Sequence, residues 1–436
     1  MKKLKLYEQQ AEALKALRKF IKSDEKHFVL SGKAGTGKTT IIRELFMRKK
    51  PKDTEYYIPS NVVGITVTHQ ARLNLSNSIP NSITYASAAN LIMDFDEHGE
   101  IRFIPKYGKA YFSELRRYDY IIVDECSQFS NDMINILVHC ASSKAKFIWI
   151  GDIKQLPPIA DPSCGPYDDS PTFNFLNKYD LTERIRQREG EYIHELADII
   201  CDAIDDNYNL DFIGELETKF DTEILKGYAI TNLDNVIESF VRNFKDNVNV
   251  RITSYRNKRV NMINSIVRHK LWNGDADNEY NIGEYIVMDN QYAPNDFPIA
   301  FNGQTFKIKS IVSFEKVYME CIIKCYLITV KDDDGIEQEL TIPTKDGYKV
   351  YHRIVRQLKN IALSTSRWEE YMNFKKKYAE ISYAYCVTLY KIQGATLTGC
   401  YVDLTDIMSC GAINNKRKLQ SFYVGVTRPT NTLAIF

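Results

Sequence analysis

Gly32-Lys33-Ala34-Gly35-Thr36-Gly37-Lys38-Thr39 sets glycines, a lysine and a hydroxyl at the spacing G-x-x-x-x-G-K-[ST]. Glycines allow backbone N–H groups to close around phosphates at a helix N-terminus. Lys38 can then reach the β and γ phosphates, and Thr39 can present its hydroxyl to Mg2+. This pattern points to binding of a nucleoside triphosphate. Ile121-Ile122-Val123-Asp124-Glu125 ends an apolar run in two carboxylates. Beside a phosphate loop such neighbours divide into a metal ligand, Asp124, and a base for the attacking water, Glu125. Hydrolysis rather than storage is expected. In Gly151-Asp152-Ile153-Lys154-Gln155-Leu156-Pro157-Pro158 the two prolines stiffen a loop on which Gln155 can hydrogen-bond a γ-phosphate or its water. Arg186 and Arg428, offered across a cleft, would stabilise charge developing on the transferred phosphoryl group.

These residues need elements to hold them. Leu14, Leu17 and Ile21 recur at helical spacing, and His27 to Ser31 is a short apolar strand leading into the glycine loop. Similar strands are expected at Val62 to Val67, Tyr120 to Val123 and Phe147 to Ile150. A second set follows at Val250 to Ser254, Ala384 to Leu389, Cys400 to Leu404 and Leu433 to Phe436. Apolar runs without alternation suit parallel strands buried on both faces, so two α/β lobes are predicted. The second lobe is interrupted from about 276 to 381. Alternating strands come first (Glu284 to Met288, Thr305 to Val312, Tyr326 to Val330, Ile336 to Ile342), with Asp334-Gly335 as a turn signal, and suggest a small β-barrel. A helical stretch from Lys349 to Ile381 follows, with eight Lys or Arg against three Glu and with Tyr351, Trp368, Tyr371, Phe374 and Tyr378 interleaved. A smaller insertion, Thr84 to Tyr111, reads as a hairpin turning at Asp96 to Glu100 between Phe95 and Phe103.

A chain of 436 residues exceeds a single core, which agrees with two lobes. Lys and Arg number 57 against 56 for Asp and Glu. The balance excludes a polycation, so any nucleic-acid surface must be local. Nine scattered cysteines favour reduced thiols over a disulfide framework. MKKLKLYEQQ lacks the apolar stretch of a signal peptide, and no run nears the roughly 20 apolar residues of a membrane helix. A cytoplasmic protein without membrane partners is expected. The scattered histidines suggest no metal site.

In chain order, Gln10, the Gly32–Thr39 loop, Thr68-His69-Gln70-Ala71, Asp124-Glu125-Cys126-Ser127, Gly151 to Pro158, Arg186, Thr388-Leu389-Tyr390-Lys391-Ile392-Gln393-Gly394 and Tyr423 to Arg428 follow the order of the superfamily 1 helicase motifs. The set resembles the RecD-like, 5′ to 3′ branch (superfamily 1B), phage members included, over nearly the whole length. The resemblance implies two RecA-like lobes of the P-loop NTPase class: residues 1–83 with 112–178, and 179–275 with 382–436. It further implies a β-hairpin pin at 84–111, and an SH3-like barrel with a helical tower at 276–381. ATP and Mg2+ are the implied cofactors. Gln10 would meet the adenine, and Gly32, Ala34, Gly35, Thr36, Gly37, Lys38, Thr39, Thr40 and Gly394 would hold the nucleotide. Asp124 with Thr39 would hold the metal, Glu125 would act as base, Gln155 as γ-phosphate sensor, and Arg186 and Arg428 as arginine fingers.

Thr68, His69, Thr84, Tyr85, Thr388, Tyr390 and Lys391 would grip single-stranded DNA, and Phe103, or else Phe95, would tip the pin. Implied partners are single-stranded and forked DNA, with a single-strand-binding protein or replisome component beside them. Two arginine fingers in one chain permit a working monomer. The family usually has His where this chain has Tyr390, whose ring can stack or donate a hydrogen bond but cannot become an imidazolium. Two other readings use the same catalytic residues: an ATPase switch acting on a protein partner, and an RNA helicase, since nothing in the motifs separates ribose from deoxyribose.

Overall fold

The computed structural model describes residues 6–49, 56–95, 101–105, 113–159, 167–183, 192–221, 226–246, 249–272, 278–295, 299–332 and 335–436. Arg186, Asp334 and the Asp96 to Glu100 turn lie outside them. Two compact units are formed: Met1–Leu91 with Pro105–Arg259 and Val387–Phe436, and Ile92–Ile104 with Val260–Cys386.

The first unit holds two six-stranded sheets. One runs in the order Lys178–Leu181, His27–Gly32, Lys146–Gly151, Tyr120–Val123, Val62–Thr66, Ser82–Thr84, with every pairing parallel. Strand alternation sorts its side chains onto two faces. Val29, Ile121, Val123, Phe147 and Trp149 pack with Leu137 of the Asn131–Cys140 helix. Phe28, Leu30, Ile122, Ile148 and Ile150 pack instead with Leu14 and Leu17 of the Glu8–Lys22 helix and with Ile41 and Ile42 of the Lys38–Phe46 helix. Burial on both faces explains why these strands read as unbroken apolar runs. Lys178–Leu181 pairs with His27–Gly32, so this sheet continues past the lobe boundary expected at 178. The strands ending at Gly32, Gly151 and Val123 are neighbours inside the sheet, which brings the loops after them together at the C-terminal ends of the strands.

The other sheet runs Lys219–Asp221, Lys226–Ile230, Pro429–Ile435, Leu397–Val402, Val250–Ser254, Cys386–Thr388. Two expected strands end early here. Ala384 to Leu389 contributes only Cys386–Thr388, because Leu389 opens the helical turn Leu389–Ile392. Cys400 to Leu404 stops at Val402, because the Asp403 carboxylate accepts from the Asp406 N–H and caps the Leu404–Met408 helix.

In the second unit an antiparallel sheet runs Glu337–Pro343, Cys321–Lys331, Thr305–Tyr318, Tyr285–Met288, Ile381–Tyr383. The Ala379 N–H donates to the Thr341 carbonyl at 2.8 Å, which curls the two edges toward each other in barrel fashion. Beyond this core the Thr305–Tyr318 and Cys321–Lys331 hairpin runs on to carry helices Lys345–Thr365 and Glu369–Lys375. The expected helical stretch to Ile381 thus breaks at Ser366, whose φ of 56° is left-handed, and closes in a strand from Ile381. Its aromatics are not a surface. Tyr351, Tyr371, Phe374 and Tyr378 are buried together with Ile354 and Leu358, and Trp368 packs against them half-buried. The paired strands Leu91–Phe95 and Ile101–Pro105 form the small hairpin; they carry Phe95 and Phe103, whose side chains are outside the described residues.

Candidate nucleotide site

Gly35 and Gly37 take φ of 84° and 81°, a region open to glycine at little cost, and Gly37 is the N-cap of the Lys38–Phe46 helix. The loop borders a cavity of ≈ 1020 Å3. Lys38, Thr39, Asp124, Glu125, Gly151, Gln155, Gly394 and Arg428 all line it. Ala34 and Gly35 line it as well, while Thr36 is buried and its hydroxyl donates to the Lys33 carbonyl at 3.0 Å. Thr40 is half-buried on the helix behind. The Lys38 ammonium folds onto its own loop, donating to the carbonyls of Gly32 at 2.5 Å and Lys33 at 3.0 Å. A phosphate would offer it a charged partner in their place.

Asp124 accepts the Glu125 N–H at 2.9 Å. Burial pushes both carboxyls above the usual carboxylate range; the charges of Arg428 and Lys38 oppose this at Glu125, and Lys38 opposes it at Asp124. Glu125 has φ 51°, a strained conformation for a residue with a β-carbon, held by the turn Cys126–Gln128. Such outliers gather at functional sites. The hydroxyl of Thr39 and the carboxylate of Asp124 are hard oxygen donors of the kind Mg2+ selects.

Hydrogen bonds, the Tyr423 to Asp152 and Gln393 bonds among them buried, join the two sheets around this cavity. The Tyr423 hydroxyl donates to Asp152 at 2.7 Å and accepts the Ala34 N–H at 3.3 Å. The Gln393 amide donates to Gln155 and to Ser127, each at 3.3 Å. Asn74 donates to the Gly394 carbonyl at 2.6 Å, and Lys33 pairs with Asp198 at 2.6 Å. Gly394, at φ 77°, lies so close to its neighbours that a β-carbon there would be 3.0 Å from the Ala71 β-carbon. Arg428 is 7% exposed and is steadied by the Val424 carbonyl and the Thr427 hydroxyl. The motifs assign no role to Tyr423, Asn74, Gln393 or Asp198, whose partners lie far away in sequence. Tyr423 and Gln393 at least fall inside motifs. Asn74 and Asp198 carry no sequence signal.

Several expected residues are occupied differently. Gln10 is 3% exposed and does not line the cavity; its amide donates to the Thr36 carbonyl and its carbonyl accepts the Tyr7 N–H, each at 3.2 Å. It braces the phosphate loop, and the exposed Tyr7 ring lines the cavity instead. Tyr85 is not a surface contact: it is buried, edge-on to Phe129 with centroids 5.7 Å apart, because it opens the helix Tyr85–Ala88 over the sheet core. Thr84 caps that helix through its hydroxyl, so the hairpin begins at Leu91 rather than at 84. The Thr68 hydroxyl caps helix His69–Ser76 by accepting the Ala71 N–H at 3.2 Å. His69 is half-buried, with a ring nitrogen 3.3 Å from Arg72. Tyr390 accepts from Arg417 at 2.9 Å, and Thr388 and Lys391 beside it are half-buried.

A phosphate loop, a carboxylate pair, a glutamine and an arginine around one cavity, drawn from two sheets, define a two-lobed P-loop nucleoside triphosphatase. Comparison with known proteins agrees. A family model described as an AAA domain matches residues 5–206. The ATP-dependent DNA helicase dda of Enterobacteria phage T4 is 24% identical over 460 residues, covering 97% of each chain. An uncharacterised protein of Acanthamoeba polyphaga mimivirus is 23% identical over 493 residues, covering 98% of each. Among solved structures, the Pif1 helicase from Candida albicans superposes with a TM-score of 0.51 at 15% identity, over 99% of this chain and 94% of the other. A Pif1 structure described as unwinding forked double-stranded DNA gives 0.51 at 14%, over 99% and 92%. Over nearly its whole length the chain is thus similar to a phage DNA helicase and shares the fold of Pif1 helicases.

Proposed function

We propose that this chain is an ATP-dependent DNA helicase that moves 5′ to 3′ along a single strand and unwinds the duplex ahead. The observation that carries this is the cavity built from both sheets, with Lys38, Asp124, Glu125 and Gln155 contributed by one and Gly394 and Arg428 by the other. ATP binds the phosphate loop, and Thr39 and Asp124 would hold Mg2+, which would supply positive charge beside the phosphates. Glu125 takes the proton of the attacking water, Gln155 orients that water, and Arg428, with Arg186, meets the charge that develops. A nucleotide that contacts groups from both sheets favours the arrangement in which they are close, so binding and release of nucleotide drive closing and opening.

Thr68 and His69 on one side, and Thr388, Tyr390 and Lys391 on the other, then hold the strand alternately. The Leu91–Phe95 and Ile101–Pro105 hairpin serves as the pin, with Phe103 at the junction. The T4 relative is a DNA helicase and the structural neighbour acts at forked DNA, which supports single-stranded and forked DNA as partners, alongside a single-strand-binding protein or replisome component. Placement of the arginine and the phosphate loop in one chain supports action as a monomer. Among the described residues no helix is long and apolar enough to cross a membrane. The described cysteines are free thiols, which supports a reducing, cytoplasmic setting.

Unwinding of duplexes bearing either a 5′ or a 3′ single-stranded tail tests the reading. Activity on the 5′-tailed substrate is expected, and activity confined to the 3′-tailed one would reverse the polarity. Stimulation of ATP turnover by DNA over RNA of equal length separates the DNA reading from the RNA one.

A further inference from the structure

Helix Lys345–Thr365 divides sharply between two faces. Gly347, Tyr351, Ile354, Leu358 and Ala362 are buried at spacings of a helical stripe. On the opposite face Lys345, Lys349, His352, Arg353 and Arg356 are exposed. At about 100° per residue these five fall within an arc of roughly 100°. With a rise of about 1.5 Å per residue, Lys345, Lys349, Arg353 and Arg356 follow one another at roughly 5–6 Å along a row of roughly 16 Å. The helix carries five Lys or Arg and a single acid, Asp346, in a protein whose net charge is only +1. An ordinary solvated face interleaves acids at i+3 and i+4. On this helix only Lys349 has such a neighbour, Asp346 at 3.8 Å, and both are largely exposed.

The face offers charge with little stacking surface: its one ring, His352, already stacks on Tyr348 with centroids 5.6 Å apart. Tyr351 is 3% exposed, and Tyr348 packs edge-on against it with centroids 6.0 Å apart. Grooves for single strands combine cations with rings on which bases stack. A duplex hides its bases and presents phosphates, for which a rigid row of cations suffices. The proposed pin strands belong to the same compact unit as this helix, and a pin works where duplex arrives. We infer that Lys345, Lys349, Arg353 and Arg356 form a sequence-independent surface for the phosphate backbone of double-stranded DNA. The inference rests on the helicase reading for its purpose, but its binding test is independent of it.

The full-length triple variant Lys349→Gln/Arg353→Gln/Arg356→Gln should be compared with the wild type for binding to a blunt duplex and to a single-stranded oligonucleotide across a salt series. Duplex affinity is expected to fall about tenfold at low salt, and the slope of log K against log salt to flatten by roughly 2 to 3, about 0.9 for each phosphate no longer neutralised. Single-strand affinity and single-strand-stimulated ATP turnover stay as in the wild type. The charge-conserving variant Lys349→Arg/Arg353→Lys/Arg356→Lys retains duplex binding, which excludes misfolding as the cause. Unchanged duplex affinity and slope in the glutamine variant would overturn the inference in favour of a solvated face. Equal reductions on duplex and single strand would overturn it in favour of a single-strand track. Failure of the helicase reading would look different: wild-type protein that gains no ATP turnover with single-stranded DNA.

Discussion

The nucleotide cavity of the first unit and the helical insertion of the second draw on the same residue types and use them in opposite senses. Around the cavity, polar groups turn inward: Asp152, Gln155, Gln393 and Tyr423 are each at most 5% exposed and bond to one another or to the phosphate loop. In the insertion, rings turn inward and cations outward, with Tyr351, Phe374 and Tyr378 in the core and Lys349 on the surface. A buried polar bond depends on its partner, because each group left alone keeps its desolvation cost. An exposed cation depends on nothing in the fold and is available to a ligand. Chemistry that must switch is placed in the first setting, and contact that must tolerate any sequence suits the second.

Removing charge from the cavity should produce the largest effect. Lys38→Ala is expected to reduce ATP turnover to background, and Arg428→Ala to lower it by about 10^3-fold or more, the scale on which an arginine finger acts. Steady-state turnover with saturating single-stranded DNA measures both. Substantial turnover in the Lys38 variant would remove the cavity from the mechanism. In the insertion the corresponding effect comes from a ring: Phe374→Ala, at a site 1% exposed, should cost about 3–5 kcal/mol of local stability. Chemical denaturation or hydrogen exchange of the second unit would register it. A variant that unfolds like wild type would mean that the aromatic cluster does not hold the helices.

Tyr423→Phe probes the contrast with one oxygen atom. It leaves the Asp152 carboxylate and the Ala34 N–H without that hydroxyl while filling the same space, and a cost of about 1–3 kcal/mol is expected. Lys349→Gln, on the surface of the insertion, should stay within about 0.5 kcal/mol. Thermal denaturation of the two variants side by side gives the comparison. Equal destabilisation would erase the distinction between the two regions.

Fold and site are legible in the sequence to different depths. Strands buried on both faces announce themselves as apolar runs, so Tyr120–Val123 and Val250–Ser254 are read to the residue. Ends shift where a side chain caps the next helix, as Asp403 and Thr84 do, since capping depends on geometry that composition does not carry. Phosphate-loop residues are legible because their spacing is local. Gln393 to Gln155 and Tyr423 to Asp152 are not, because each bond joins positions more than two hundred residues apart. In the insertion, the basic and aromatic residues stand out in the sequence, but their division between two faces does not. Helical phase alone separates the buried Tyr351 from the exposed Arg353, two positions apart in one mixed run.

The smallest expected effect concerns His69, which combines features of both regions: a polar ring, half-buried, at the proposed strand contact. Burial first, and the charge of Arg72 second, bring its pKa down to about 4 from 6.5. Because the folded value lies below the unfolded one, the stability associated with the neutral ring is fully present above about pH 6.5. It declines as the pH falls toward 4. Near neutrality the ring is uncharged and can meet DNA by stacking or a hydrogen bond, but not as a cation. Single-strand affinity is therefore expected to be nearly flat between about pH 6 and 8, with His69→Gln leaving the flat profile unchanged. Fluorescence anisotropy with a short oligonucleotide across that range measures it. A titration centred near 6.5 that disappears in His69→Gln would show the imidazolium at work and place His69 with the exposed cations.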